Sequence, residues 1–244
     1  MNVKASAKYQ FSDSMRTSTV YYAIYFAICL AGLGIGAMSI DGVVVSISGT
    51  EVSTMIFLFV LGLNSFKEYF GMLVQNGMSR RAVFAGRLAS FGLLAAAAAL
   101  LEALLGEILA LGARSGGYQY GSLYTMIFGW PEHVNPVLRI LWTAASYMAL
   151  LLLGYFISIL FYRLNKAGKV VVGAGVPVLF FALPLLDIII FRHLFITSAI
   201  AEVFAALHSL MFRSAWLAVA VPLALAALLA ALSWLLLRRA IVRK

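Results

Sequence analysis

Charge and cysteine are what this sequence lacks. Only 11% of its 244 residues are charged, while 64% are hydrophobic and the mean hydropathy is +1.00. An ordinary soluble domain carries about 25% charged residues, so there is too little polar surface here to cover a water-facing globule, which excludes a soluble enzyme or binding module. The single cysteine, Cys29, leaves no intrachain disulfide and no cysteine-rich metal site. Acidic residues are scarce as well: 9 Asp and Glu face 18 Lys and Arg, a net charge of +9.

The motifs of several chemistries are missing. There is no phosphate loop; the nearest string, Asn165-Lys166-Ala167-Gly168-Lys169, lacks the first glycine and the magnesium-holding hydroxyl, so the chain is not expected to hydrolyse ATP by itself. His133, His193 and His208 form no H-E-x-x-H pattern, and no G-x-S-x-G elbow occurs. The first twenty residues are polar and mixed, unlike a cleavable signal, so the first apolar run is expected to be retained.

Long apolar stretches are what the chain has in abundance. About 20 apolar residues of helix cross a bilayer. The runs 20–40, 52–66 (reaching Phe70 with Lys67 snorkelling), 88–111, 138–162, 170–191 and 215–237 predict six transmembrane helices in one all-α membrane domain over 1–244. Lys4, Lys8, Arg16, Lys67, Arg80, Arg81, Arg87, Arg163, Lys166, Lys169, Arg238, Arg239, Arg243 and Lys244 fall on one side of such a chain, and only Arg114, Arg139, Arg192 and Arg213 on the other. That asymmetry predicts cytoplasmic termini and a plasma-membrane protein, and it assigns the basic surplus to anionic lipid, not nucleic acid.

Three segments outside the spans carry pattern. Residues 1–19, with Tyr9, Phe11 and Met15 among the basic residues, read as an interfacial lead-in. Residues 112–137, with Tyr118, Tyr120, Tyr124 and Trp130 and the breakers Pro131 and Pro136, read as a structured outer cap. Residues 192–212 are too apolar for a free loop, yet Arg192, His193, Glu202 and His208 interrupt them, which predicts a re-entrant or interfacial helical pair.

The connection 67–87 is the most informative. Asn76-Gly77 signals a turn and Ser79 is placed to cap a helix beginning at Arg80, so helix, tight turn, helix is expected. Such an element either docks a cytoplasmic partner or merely sets topology by its charge. Six spans, both ends inside, an amphipathic lead-in and the string Gly77-Met78-Ser79-Arg80-Arg81 resemble the permease subunits of ATP-binding cassette type 2 (ABC-2) exporters. The resemblance implies an interface helix before the first span, a coupling helix between spans two and three, and re-entrant helices before the last span. It also implies that Gln75, Asn76, Gly77, Met78, Ser79, Arg80 and Arg81 meet a cytoplasmic ATPase. The partners implied are two copies of that ATPase, which would hold the ATP and Mg, and a second permease half; this chain itself would bind no cofactor. An ATP-independent six-span transporter or membrane scaffold is the alternative.

Glu102 and Glu107 lie on the third expected span, about 140° apart, with Glu102 about 7.5 Å deeper. A carboxyl at that depth needs a partner or a wet cavity. Glu102 is therefore either an outer-cavity site on the substrate path or one half of a salt bridge with Arg114, Arg139 or another outer arginine. Asp187 and Arg192 are expected to anchor the re-entrant segment, or, in the alternative reading, Asp187 joins Glu102 as a proton-carrying or structural group. Gly32, Gly34 and Gly36 on span one and Gly173 and Gly175 on span five read as helix-packing positions. The family resemblance would place them at a dimer interface beside the substrate path.

Overall fold

The computed structural model describes residues 3–37, 45–115, 118–128, 135–175, 178, 182, 184, 187–189 and 195–238. Within them the chain is almost entirely helical. Helix α1 runs Val3–Ala37, α2 Glu51–Asn64, α3 Lys67–Gln75, α4 Arg80–Ser115, α5 Leu123–Phe128, α6 Pro136–Arg163 and α7 Lys166–Val170, which passes into a π-helical turn at Val171–Gly175. Helices α8 (Phe195–Arg213) and α9 (Ala215–Leu237) follow. Local chemistry sets several of the starts. Asn135 accepts from the Val137 amide with Pro136 in the first turn, Asn165 caps α7 through the Gly168 amide at 2.7 Å, and Ser214 accepts from Trp216.

Five stretches are long and apolar enough to cross a membrane: α2 with α3, α4, α6, α8 and α9. The first expected span, 20–40, falls on the apolar half of α1 as far as Ala37, and α1 is not one of these five stretches. The fifth expected span, 170–191, lies mostly outside the described residues.

Two elements differ from expectation. The lead-in is no separate helix: α1 is continuous over 35 residues, about 52 Å, because its polar residues 6, 10, 14 and 18 form one i, i+4 stripe that buries against α4. The pair expected over 192–212 is one helix in its described part. At 19 residues and about 28 Å, α8 is long enough to span, and the carboxylate of Asp187 accepts from the Ile196 and Thr197 amides at its start.

Helices α1 and α4 pack in parallel, with Ser6 beside Gly86 and Tyr25 beside Glu102; α2 also runs parallel to α6, with Glu51 beside Arg139 at one end and Phe66 against Tyr155 and Tyr162 at the other, and α9 lies along α6. At the end where α4 finishes, β1 (Val45–Ser48) and β2 (Tyr118–Gly121) pair in parallel, Val45 opposite Tyr118. This small sheet qualifies the all-α expectation. Its signal is visible in the alternation of Val45-Ser46-Ile47-Ser48.

Candidate functional site

A polar cluster lies inside the bundle of α1, α2, α4 and α6. Glu102 of α4 is 5% exposed. Tyr25 of α1 donates to its Oε2 at 3.1 Å, and Thr54 of α2 donates to Oε1. Tyr21 extends the network to Ser53 at 3.0 Å and Thr54 at 3.2 Å. The hydroxyls of Tyr22 and Tyr147 are buried in the bundle with no hydrogen-bond partner among the described residues. A carboxyl in an apolar interior is expensive unless donors surround it, and here hydroxyls from two neighbouring helices supply them.

Glu102 therefore sits in neither of the two expected settings. It makes no salt bridge among the described residues, since Arg139 pairs instead with Glu107 at 2.7 Å near the surface, and Arg114 is exposed. Nor does it face an open cavity. The space it shares with Glu51, Arg139 and Thr143 is about 10 Å³, at the lower limit for one water. The strand end closes over it: Glu51 accepts the Leu123 amide at 3.2 Å through both carboxylate oxygens, and the Tyr118 hydroxyl donates to Leu109 O at 2.6 Å. Burial raises the phenols of Tyr118 and Tyr120 in this cap above their ordinary value. The arrangement ties three helices at one carboxyl.

At the opposite end of α4 is the helix, turn and helix that the sequence predicts. Helix α3 closes on Asn76, Gly77 adopts φ +76°, and Ser79 Oγ accepts the Ala82 amide at 3.3 Å as α4 begins. Gln75, Asn76, Gly77, Ser79 and Arg81 are exposed, and Met78 and Arg80 half-buried. Arg80 donates to Arg238 O at 2.8 Å and Phe84 packs on Trp234, so the turn is fastened to the end of α9.

Within the single chain, Gly32, Gly34, Gly173 and Gly175 make no close helix crossing. A Cβ on Gly32 would meet only Ile47, at 3.8 Å; one on Gly34 would meet nothing within 4 Å; Gly173 faces a Phe161 ring and Gly175 a Val171 side chain at ordinary distances. The side-chain surroundings of Gly36 lie outside the described residues. The close crossing is between α2 and α6, where a Cβ on Gly62 would fall 2.3 Å from Leu151 O and one on Gly154 2.3 Å from Phe59 O. Isolated glycines in apolar helices are visible in sequence, but which of them meet another backbone is a tertiary fact. Tyr22, Tyr25, Thr54 and Tyr147 carry no motif of their own, although three tyrosines, Tyr21, Tyr22 and Tyr25, within five residues of an apolar run are a signal. Arg87, read as topology charge, is instead 1% exposed, with its guanidinium 4.6 Å from the Tyr69 ring centroid and 5.3 Å from that of Phe91.

Together these features define a helical membrane protein with a closed polar centre and an exposed turn at one end. No family model, curated protein or solved structure matches the chain.

Proposed function

We propose that this chain is the membrane-spanning permease subunit of an ABC-2 exporter, moving a substrate outwards with ATP hydrolysed by two copies of a separate ATPase and working beside a second permease half. The observation that carries the reading is the turn 76–79 joined to one unbroken helix. From Arg80 to Glu102, α4 rises through 22 residue steps, about 33 Å, with no break. A helix of that kind transmits an axial push from a docked partner at the turn to the polar centre, where α1 and α2 are held to it. In this reading Gln75, Asn76, Gly77, Met78, Ser79, Arg80 and Arg81 are the ATPase contact, Glu102 is a group that reorganises during transport, and the termini are cytoplasmic in the plasma membrane.

The test is charge reversal at the turn. Single exposed charges contribute little, so Arg81→Glu alone is expected to have a small effect, whereas Arg80→Glu with Arg81→Glu sets two like charges against an acidic partner rim. The double variant is expected to insert, with at most a small loss of melting temperature from the exposed Arg80–Arg238 O contact, while losing ATPase co-purification and export. Unchanged co-purification and transport would remove the assignment, and the absence of any ATPase partner for the wild type would favour an ATP-independent transporter or scaffold.

Orientation is checked by cysteine labelling in a Cys29→Ala background. Lys8 and Arg114 are both exposed and serve as sites, whereas Ser6 is buried against α4 and would report nothing. An impermeant maleimide on intact cells is expected to label Arg114→Cys and spare Lys8→Cys; the reverse pattern inverts the topology.

A further inference from the structure

We propose that Glu102 is a proton-binding site: its carboxyl holds a proton while the polar centre is closed and passes it to water when the centre opens. Charge balance is the first argument. On α1 the groups within reach of its charge are Tyr21, Tyr22, Tyr25 and Cys29, all uncharged at neutral pH. Helix α2 contributes Glu51, α6 contributes Arg139 and Tyr147, and β2 contributes Tyr120. The one cation among these groups, Arg139, is bonded to Glu107 at 2.7 Å. Glu51 has a donor of its own, the Leu123 amide, which reaches both of its oxygens at 3.2 Å. Glu102 has neither a cation nor a backbone amide among the described residues, only hydroxyls, and a carboxylate so placed in an apolar interior is neutralised by taking up a proton.

Counting hydrogens gives the same answer. The Tyr21 hydroxyl donates to Ser53 at 3.0 Å and lies 3.2 Å from Thr54 Oγ1, which in turn contacts Glu102 Oε1. Thr54 has one hydroxyl hydrogen for two contacts. When it serves an ionised Glu102, the oxygens of Tyr21 and Thr54 face each other with no hydrogen between them. With a proton on Oε1 the chain closes: Glu102 donates to Thr54, Thr54 to Tyr21 and Tyr21 to Ser53, while Oε2 still accepts from Tyr25 at 3.1 Å. The hydroxyls of Tyr22 and Tyr147 agree with the neutral form. Both are buried in this bundle and donate nothing to the carboxyl, whereas an anion draws donors to itself.

The proton has a way out. The space of about 10 Å³ shared by Glu102, Glu51, Arg139 and Thr143 is at the size of one water. It leads from Glu102 to the Arg139–Glu107 pair, where the Glu107 side chain is 62% exposed. On opening, the proton passes from Oε1 to water, the carboxylate remains, and Thr54 turns its hydrogen to Oε1. The inference concerns the same carboxyl as the permease proposal but rests on its burial and bonding alone.

The test is infrared spectroscopy of the full chain in detergent, carrying glutamate isotope-labelled at the carboxyl. At neutral pH the wild type is expected to show the C=O band of a protonated carboxyl that moves with the label. Glu102→Gln should lose this band, and Glu51→Gln and Glu107→Gln should keep it. Tyr25→Phe removes the hydrogen bond to Oε2 and should raise the frequency of the band, which identifies it as Glu102 even if Glu102→Gln fails to fold. A proton held by the closed bundle and not by the unfolded chain also makes stability fall as pH rises. The melting temperature of the wild type is therefore expected to fall more steeply from neutral to alkaline pH than that of Glu102→Gln, whose amide donates to Thr54 at every pH. The absence of a protonated glutamate from the folded wild type overturns the proposal. So does a band that survives in Glu102→Gln, vanishes in Glu51→Gln or stays unmoved in Tyr25→Phe, and so do equal pH slopes of melting. No ATPase enters these assays, so their failure leaves the permease proposal untouched.

Discussion

Gly62→Ala and Gly154→Ala are each expected to lower the melting temperature of the purified protein sharply, and the double variant to prevent folding. A new Cβ at position 62 would lie 2.3 Å from Leu151 O and 3.1 Å from the Leu151 carbonyl carbon; at position 154 it would lie 2.3 Å from Phe59 O and 2.7 Å from Leu63 N. These neighbours are backbone atoms, so no side chain can turn aside. The helices must part by more than an ångström, and the separation spreads to Leu58, Leu151 and Leu152, all fully buried at this crossing. Overpacking of this kind costs about 1–3 kcal/mol per site, and the upper end applies where backbone meets backbone. Gly71→Ala and Gly92→Ala are the controls, since a Cβ there meets nothing within 4 Å. Alanine is the better helix former by about 1 kcal/mol, so these variants should melt no lower than the wild type. Thermal unfolding followed by size-exclusion fluorescence separates the two classes. Equal melting of all four single variants would mean that α2 and α6 do not cross at these glycines.

Glu102→Leu is expected to destabilise the bundle more than Glu107→Gln, and for a reason that a double-mutant cycle can expose. Leucine roughly preserves volume but leaves the Tyr25 hydroxyl without its acceptor, while Thr54 keeps Tyr21. One stranded buried donor costs about 1–3 kcal/mol, whereas the Arg139–Glu107 pair, with the Glu107 side chain 62% exposed, is worth at most about 1 kcal/mol. Glu102→Gln retains one acceptor and most of the volume and should melt close to the wild type. Adding Tyr25→Phe to Glu102→Leu removes the stranded hydroxyl, so the double variant should be less destabilised than the sum of the two singles. Strict additivity would separate Tyr25 from Glu102. Under the permease proposal, Glu102→Gln should reduce transport while leaving this stability in place. A variant that melts early but transports normally per folded molecule would make Glu102 purely structural.

Sequence alone determined the membrane class, because composition is a property of the chain: with 11% charge and repeated apolar runs, burial in lipid is the available solution whatever the packing. It also determined the turn at 76–79, where a glycine with positive φ and a serine cap act within a few residues of themselves. The rest depended on contacts between residues far apart in the chain. Glu102 was visible as an expensive carboxyl, but its setting was not, because Tyr25 and Thr54 lie 77 and 48 residues away and reach it only once α1, α2 and α4 have packed. Arg139, a plausible partner by charge and depth, instead pairs with Glu107, since the crossing of α4 and α6 brings those two together. The i, i+4 stripe of Ser6, Gln10, Ser14 and Ser18 was written in the sequence as a polar face, and a polar face ordinarily points to water. Only the tertiary structure turned it inward, where Gln10 donates to Ser6 at 2.7 Å and to Val83 O at 3.2 Å and so joins α1 to α4. In a bilayer apolar residues gain little by facing inward, so small and polar residues decide which helix faces meet, and that choice is made between helices, not within them.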